Sequence, residues 1–213
     1  MPEGKIIKAL SGFYYVLDGH QIIQCRGRGV FRKNKITPLV GDSVVYQAEN
    51  EREGYIMEVY ERKNELIRPP IANVDQAILV FSAKEPDFSS ILLDRFLVII
   101  ESNEINPIIC ITKMDLLTDE ERLKLSDYVN DYRKIGYEIT LSSSKTEEGL
   151  DKLLPHIKGK ISVFAGQSGV GKSSLLNAIK PDLELKTSHI SSHLGRGKHT
   201  TRHVELIDIE NGL

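Results

Sequence analysis

The sequence predicts an α/β protein with a small β-rich domain at its front. Three observations predict this. Up to about Arg68, short apolar stretches are broken every few residues by Gly and Asp. After Pro70, short and fully apolar segments alternate with helical ones, which implies parallel strands joined by crossover helices. Between the two regions stands Arg68-Pro69-Pro70; consecutive prolines lack the N–H that a ladder needs and favour an extended linker. The expected division is therefore 1–68 and 69–213.

In the first region, residues 12–17, 20–25, 43–46 and 54–59 read as strands, and Asp18-Gly19 reads as a hairpin turn. Several short strands at this spacing suggest a small barrel of the oligonucleotide-binding type. In the second region, residues 76–81, 107–111, 137–141 and 161–165 read as buried strands of a mostly parallel sheet. Helices are expected over 89–102, 118–135, 147–156 and 173–179. Thr118-Asp-Glu-Glu121 forms a capping box that opens the second of these, and Gly136 closes it. The apolar run 91–100 is cut by Asp94 and Arg95, which favours a buried helix over a membrane span.

Composition sets outer limits. A chain of 213 residues with 40% hydrophobic content can bury a real core, and its net charge of −2 confines any basic patch to a local one. The two cysteines, Cys25 and Cys110, lie far apart in apolar surroundings. That fits buried, reduced thiols in the cytoplasm, and this pair alone cannot build a zinc site. Residues 1–5 lack the apolar core of a secretory signal. No membrane association is expected.

The run Gly166-Gln167-Ser168-Gly169-Val170-Gly171-Lys172-Ser173-Ser174 fits the pattern G-x-x-x-x-G-K-[ST]. It follows a predicted strand and opens a predicted helix. The chemistry needs glycines because backbone N–H groups must approach phosphate oxygens closely. Lys172 would reach the β- and γ-phosphates, Ser173 would ligate Mg²⁺, and the helix N-terminus would favour the anion.

Two further loops each follow a predicted strand. Thr112-Lys113-Met114-Asp115 resembles the guanine-reading N-K-x-D motif. Asp115 would accept from the ring N1–H and the exocyclic amine together, an arrangement adenine cannot match, and the Lys113 stem would lie along the base. Thr112 stands where Asn is usual, which predicts weaker bracing. By itself this run is equally compatible with a helix-capping turn. Ser142-Ser143-Ser144-Lys145 resembles the S-A-K loop that meets guanine O6, the match being Ser143-Ser144-Lys145. It could as easily be a polar turn. All three loops sit where an open α/β sheet places its ligands.

The order is base loop, Ser-rich loop, phosphate loop, then Lys198-His199-Thr200-Thr201-Arg202. The last segment resembles a switch I, in which one Thr closes on Mg²⁺ and the γ-phosphate. Either Thr200 or Thr201 could be that ligand, with Thr201 favoured. An ordinary GTPase carries its base loop after its phosphate loop. This permuted order behind a small barrel resembles the circularly permuted GTPases of bacteria that depend on the small ribosomal subunit. The likeness also includes Val40-Gly-Asp-Ser-Val44 and Gly195-Arg-Gly-Lys-His-Thr-Thr201.

The resemblance implies an oligonucleotide-binding-type barrel, a circularly permuted P-loop GTPase domain and a C-terminal zinc domain. It implies GTP and GDP as ligands, Mg²⁺ as cofactor, and binding to the small (30S) subunit and its rRNA. It implies subunit-stimulated hydrolysis in late subunit maturation, by a cytoplasmic monomer. The family's D-x-P-G loop and its Zn²⁺ ligands are not among the 213 residues, so a fragment is expected. His199 matches a position that could substitute for the water-positioning Gln of Ras-like enzymes; a solvated switch histidine explains it equally. His189, His193, His199 and His203 have metal-like spacing but no Cys or paired acid beside them.

Arg26, Arg28, Arg32, Lys33 and Lys35 surround Phe31 in one stretch. In such a barrel they could track an RNA backbone while the ring stacks on a base; a solvated loop is the alternative. Two other function classes remain open. One is an RNA-binding nucleotide switch with negligible catalysis. The other is a generic P-loop ATPase or small-molecule kinase, for which no acceptor-substrate motif is visible.

Overall fold

The computed structural model describes residues 1–33, 36–67, 69–143, 149–185 and 204–209, without the Arg32 side chain. The chain divides into two compact units. The first holds residues 1–74 with the returning segment 204–208; the second begins at Asp75.

The first unit is a closed barrel. Strands β1 (Glu3–Leu10), β2 (Phe13–Asp18), β3 (Gln21–Gly27), β4 (Ser43–Ala48) and β5 (Gly54–Val59) close in the order β1-β2-β3-β5-β4. The β3–β5 pair is parallel and β1 returns antiparallel to β4. Closure pairs most of the strand edges. Ile6, Val16, Ile23, Cys25, Val44 and Ile56 fill the interior. The sequence pattern does not mark β1, whose Lys-Ile-Ile-Lys run gives no clean alternation. A one-turn helix, α1 (Gly29–Lys33), follows β3.

The prolines do not form a linker. Strand β6 (Glu65–Ile67) pairs antiparallel with β7 (Pro70–Ala72), so Pro70 opens a strand, a position where its missing N–H costs no ladder bond. This hairpin is tied to the barrel by charge. Asp42 is fully buried and receives Arg62 Nε at 2.7 Å and Arg62 Nη2 at 2.8 Å, while the Leu39 amide donates to it at 2.7 Å. Such bidentate pairs are geometrically demanding, and removing one partner strands a buried charge. In segment 204–208 Glu205 bridges antiparallel to Lys8, and the Leu206 amide donates to the Ile7 carbonyl at 2.7 Å.

The second unit is a parallel sheet in the order β10-β9-β8-β11: β8 (Gln76–Ser82), β9 (Asn106–Thr112), β10 (Glu138–Leu141) and β11 (Ser162–Ala165). All three pairings are parallel, so every strand's C-terminal end lies along one edge. Every residue of β8 is buried. From β8 the chain steps outward to β9 and β10, then crosses to put β11 on the other side. The crossovers are α2 (Ser90–Glu101), α3 (Asp119–Ile135) and α4 (Leu150–Ile157), with α5 (Lys172–Ile179) after β11. Ser89 caps α2, the Thr118–Glu121 capping box opens α3, and Gly136 ends it.

Helix α2 is not buried as a whole. Leu93, Leu97 and Ile100 form its inward stripe, whereas Ile91 is 68% and Val98 67% exposed. A single helix face can enter the core, so an apolar run longer than that stripe leaves its remainder outside. Both cysteines are buried and unbridged, and burial pushes each thiol up to about 11. No described helix is long and apolar enough to cross a membrane.

Replacing Arg62 by Ala leaves Asp42 buried without its cation. Stability of the barrel unit should fall by about 3 kcal/mol, read as a lower urea midpoint with an unchanged slope. A midpoint equal to that of the unaltered protein would show that Asp42 has other support.

Candidate functional site

The loops at the sheet's C-terminal edge converge around the end of β8. The phosphate-type loop leaves β11 at Ala165 and enters α5 at Lys172. Gly166 has a φ of +151°, and a Cβ there would fall 2.1 Å from the Val80 carbonyl oxygen. Only glycine lets the loop lie this close to β8. Gly171, in the left-handed region at φ +97°, turns the chain into α5. The first turn of α5 contains no acidic residue, so its exposed N–H groups and dipole present an anion-attracting end.

Lys172 folds back over this loop. Its ammonium donates to the Gly166 carbonyl at 2.9 Å and also to the Gln167 carbonyl. Partial burial pulls its pKa below the usual lysine value. An anion in the loop would oppose that shift by stabilising the charged form.

The 112–115 loop sits beside it. The Thr112 hydroxyl, buried, donates to the Val170 carbonyl of the phosphate-type loop and lies 3.2 Å from the Phe81 carbonyl of β8. The bracing that a single hydroxyl can give is thus made directly between the two loops. Lys113 takes a left-handed conformation, φ 58°, and its ammonium donates to the Glu85 carbonyl. Met114 is buried; its amide donates to the Ser142 carbonyl at 3.3 Å, and its own carbonyl accepts from Arg122 at 2.8 Å. Ser143, at the end of β10 and fully buried, donates its hydroxyl to Asp115 Oδ1 at 2.7 Å. A carboxylate oriented in this way can accept two parallel N–H donors from a planar ligand.

Three supports were not signalled by sequence motifs: the Glu85 carbonyl, Arg122, and the Lys84–Glu121 pair at 2.6 Å. The Lys84 contact, aided by the Thr118 amide, holds the Glu121 carboxyl at about 2, below its ordinary 4.5. Its contribution is complete above the ordinary value and is lost only as pH falls through about 2, so the start of α3 keeps its charge at neutral pH.

The structure therefore brings together Thr112, Lys113, Asp115, Ser143, Gly166, Gln167, Val170, Gly171 and Lys172, with Ser168, Gly169, Ser173 and Ser174 on the same loop and helix start. Ser144, Lys145, His199, Thr200 and Thr201 lie outside the described residues. Among the described residues no three His, Cys, Asp or Glu side chains are grouped to hold a metal. A cation at Ser173 would therefore draw most of its ligands from a bound phosphate and water, which is how Mg²⁺ commonly sits in such sites.

Of the basic stretch, Arg26, Arg28 and Lys33 are exposed, while Lys35 and the Arg32 side chain are not described. Phe31 departs from expectation: it is only 7% exposed, so its ring is not displayed for a base to stack on.

A closed barrel followed by a parallel sheet whose base loop precedes its phosphate loop defines a class, the circularly permuted P-loop GTPases. Within that class the chain belongs to the RsgA GTPase family, whose description it matches over residues 59–213, with the RsgA N-terminal domain over 3–56. It is 71% identical over its whole length to the small ribosomal subunit biogenesis GTPase RsgA of Bacillus pumilus and 68% identical to that of Bacillus subtilis, covering 73% of each. It is similar to the crystal structure of YloQ, a circularly permuted GTPase, with 67% identity, a TM-score of 0.76, and 85% of this chain and 65% of that chain aligned. YjeQ from Thermotoga maritima aligns with a TM-score of 0.81 at 41% identity, over 88% and 68% of the two chains.

The two interloop hydroxyls give a direct test. Thr112→Val and Ser143→Ala each remove one hydrogen bond of about 1 kcal/mol, so each should weaken binding of a fluorescent GDP about fivefold. Thr112→Ser should restore most of the loss. Full affinity in Thr112→Val would show that the two loops hold their positions without the hydroxyl.

Proposed function

We propose that this chain binds and hydrolyses GTP in late maturation of the small ribosomal subunit, and that the subunit stimulates its hydrolysis. The observation that carries this reading is the convergence of the 112–115 loop, Ser143 and the 166–174 loop on one sheet edge, braced by Thr112. The names of the relatives supply the process.

In this reading Asp115, oriented by Ser143, selects guanine through two N–H acceptances, and Lys113 lies along the base with Met114 backing the loop. Ser144 and Lys145 complete the base pocket. The amides from Gly166 to Ser174 cradle the phosphates, and Lys172 moves from its carbonyl partners to the phosphate oxygens. Mg²⁺, when bound through Ser173 and either Thr200 or Thr201, supplies charge neutralisation across the phosphates. Thr201 orders the switch segment, and His199 positions the attacking water. The barrel, residues 1–68, contacts rRNA through Arg26, Arg28, Arg32, Lys33 and Lys35, and 69–213 forms the GTPase domain. The protein works as a cytoplasmic monomer.

Titrating fluorescent GDP and ADP in the presence of Mg²⁺ tests the base assignment. The unaltered protein should prefer GDP strongly, and Asp115→Asn should relax that preference by tenfold or more, because a fork of two donors loses its acceptor. Equal affinity for both nucleotides, unaffected by the substitution, would remove the guanine reading. Hydrolysis tests the partner. Purified small subunits should raise the GTP turnover rate, and Lys172→Ala should abolish the increase. An unchanged rate with subunits would overturn the assembly role.

A further inference from the structure

A carboxylate that reads a base by two parallel acceptances must point in one direction, and at Asp115 two separate anchors set that direction. The Ser143 hydroxyl orients the side chain from β10 at 2.7 Å. The backbone depends on the peptide that joins Met114 to Asp115. This peptide lies in a single 3-10 turn, Met114–Leu116, which the chain enters through Lys113 in the left-handed region at φ 58°. Such a turn has poor hydrogen-bond geometry and no second turn to stiffen it. Here the bond that closes it, from the Leu117 amide to the Met114 carbonyl, is long at 3.4 Å.

The short bond to that carbonyl comes from outside the turn. Arg122 Nη2 donates to it at 2.8 Å from eight residues further along the chain. A carbonyl oxygen has two lone pairs, so it accepts both donors. Arg122 stands in the first turn of α3, where its own amide donates to the Thr118 carbonyl at 2.9 Å. The Thr118–Glu121 capping box fixes that turn, and Lys84 holds Glu121 at 2.6 Å. Lys84 in turn follows Ala83, whose amide donates to the Thr112 carbonyl at 2.9 Å and so extends the β8–β9 ladder by one step. The guanidinium is therefore carried on a support tied back to the sheet. Among the described residues Arg122 pairs with no carboxylate; its printed partner is the neutral Met114 carbonyl. Arg122 is also exposed, so shortening it opens no cavity in the core.

We infer that Arg122 is a positioning residue for base selection. By holding the Met114 carbonyl it sets the plane of the peptide that leads into Asp115, and with it the direction of the Asp115 carboxylate. It acts through Met114 and Asp115, not by contact with a ligand. The inference rests on the reading that Asp115 selects guanine, and it names a group that keeps that selection sharp. A charged donor at 2.8 Å is a stronger hold on a carbonyl than an amide at 3.4 Å. A carboxylate that swings out of line loses most with a base that offers both the ring N–H and the exocyclic amine. It loses less with hypoxanthine, which offers only the ring N–H.

The test is a double-mutant cycle on the full chain, read by binding of GDP, inosine diphosphate and ADP with Mg²⁺ present. Arg122→Gln keeps a good helix former and removes the charged donor. It should weaken GDP about tenfold, weaken inosine diphosphate less, and leave ADP unchanged. Arg122→Lys, still a charged donor, should recover most of the loss. With Asp115→Asn already in place, Arg122→Gln should cost nothing further, because the acceptor it positions is gone. Three results would overturn the role: GDP affinity unchanged in Arg122→Gln, equal losses for all three nucleotides, or losses from Arg122→Gln and Asp115→Asn that simply add. Equal losses would mark a general structural effect, and a lower urea midpoint would accompany them. Failure of the underlying reading looks different. Equal affinity of the unaltered protein for GDP and ADP removes the guanine assignment and this inference with it. A guanine preference that Asp115→Asn relaxes and Arg122→Gln leaves intact removes this inference alone.

Discussion

The hydroxyl of Thr112 is the point on which the nucleotide site depends. It joins the Val170 carbonyl to the end of β9, across the end of β8, and so couples two loops that are 58 residues apart in sequence. The 166–171 loop carries three glycines at positive φ, with high conformational entropy, and Gly166 lies on the Val80 carbonyl, where any side chain would collide. The parallel sheet supplies the rigidity: β8 is buried along its whole length, and hydrogen bonding to it from both sides fixes where β9 and β11 end. A loop anchored at such an end inherits the strand's precision, which is why α/β ligand sites gather there.

From that anchor the rest of the site follows outward. The left-handed turn at Lys113 directs the chain into Met114 and Asp115, where β10 contributes the Ser142 carbonyl and the Ser143 hydroxyl. The start of α3 then closes the loop from outside through Arg122 and the Lys84–Glu121 pair. Asp115 is thereby oriented by a partner from a different strand. A carboxylate fixed in this way loses little further freedom when a ligand arrives, and preorganisation of that kind raises affinity without new contacts.

The barrel obeys a different constraint. Its closure pairs most of its strand edges, and segment 204–208 takes up part of the remaining β1 edge through the Glu205–Lys8 bridge and the Leu206 amide on the Ile7 carbonyl. Its available surfaces are side-chain faces and loops. The Asp42–Arg62 bridge locks the 37–42 segment to the hairpin that follows, while Phe13, Arg26 and Tyr55 pair across β2, β3 and β5 on the outer face. The aromatic and β-branched residues on that outer face suit a strand locally. Their alignment in one row across three strands is a property of register alone.

Much of this was legible in the residues. The capping box at Thr118, the helix end at Gly136, the buried strands around 76–81 and 107–111, and the phosphate-type run between strand and helix are each dictated by local chemistry: orphan N–H groups, left-handed backbone, periodicity and close approach. The permuted order of the loops was also visible, because chain order is sequence information. What the residues could not decide depended on partners distant in the chain. Pro69-Pro70 reads as a break until β6 is seen pairing with β7. The 91–100 run reads as buried until its outward residues Ile91, Val98 and Ile99 are found exposed. Phe31 reads as a free aromatic until its ring is found buried. The role of Thr112 as a link between loops, and the row formed by Phe13, Arg26 and Tyr55, exist only through strand register. Local sequence fixes the dihedral preferences and the periodicity of each element, but side-chain burial and hydrogen-bond partners are set by which elements meet, and only the tertiary structure decides that.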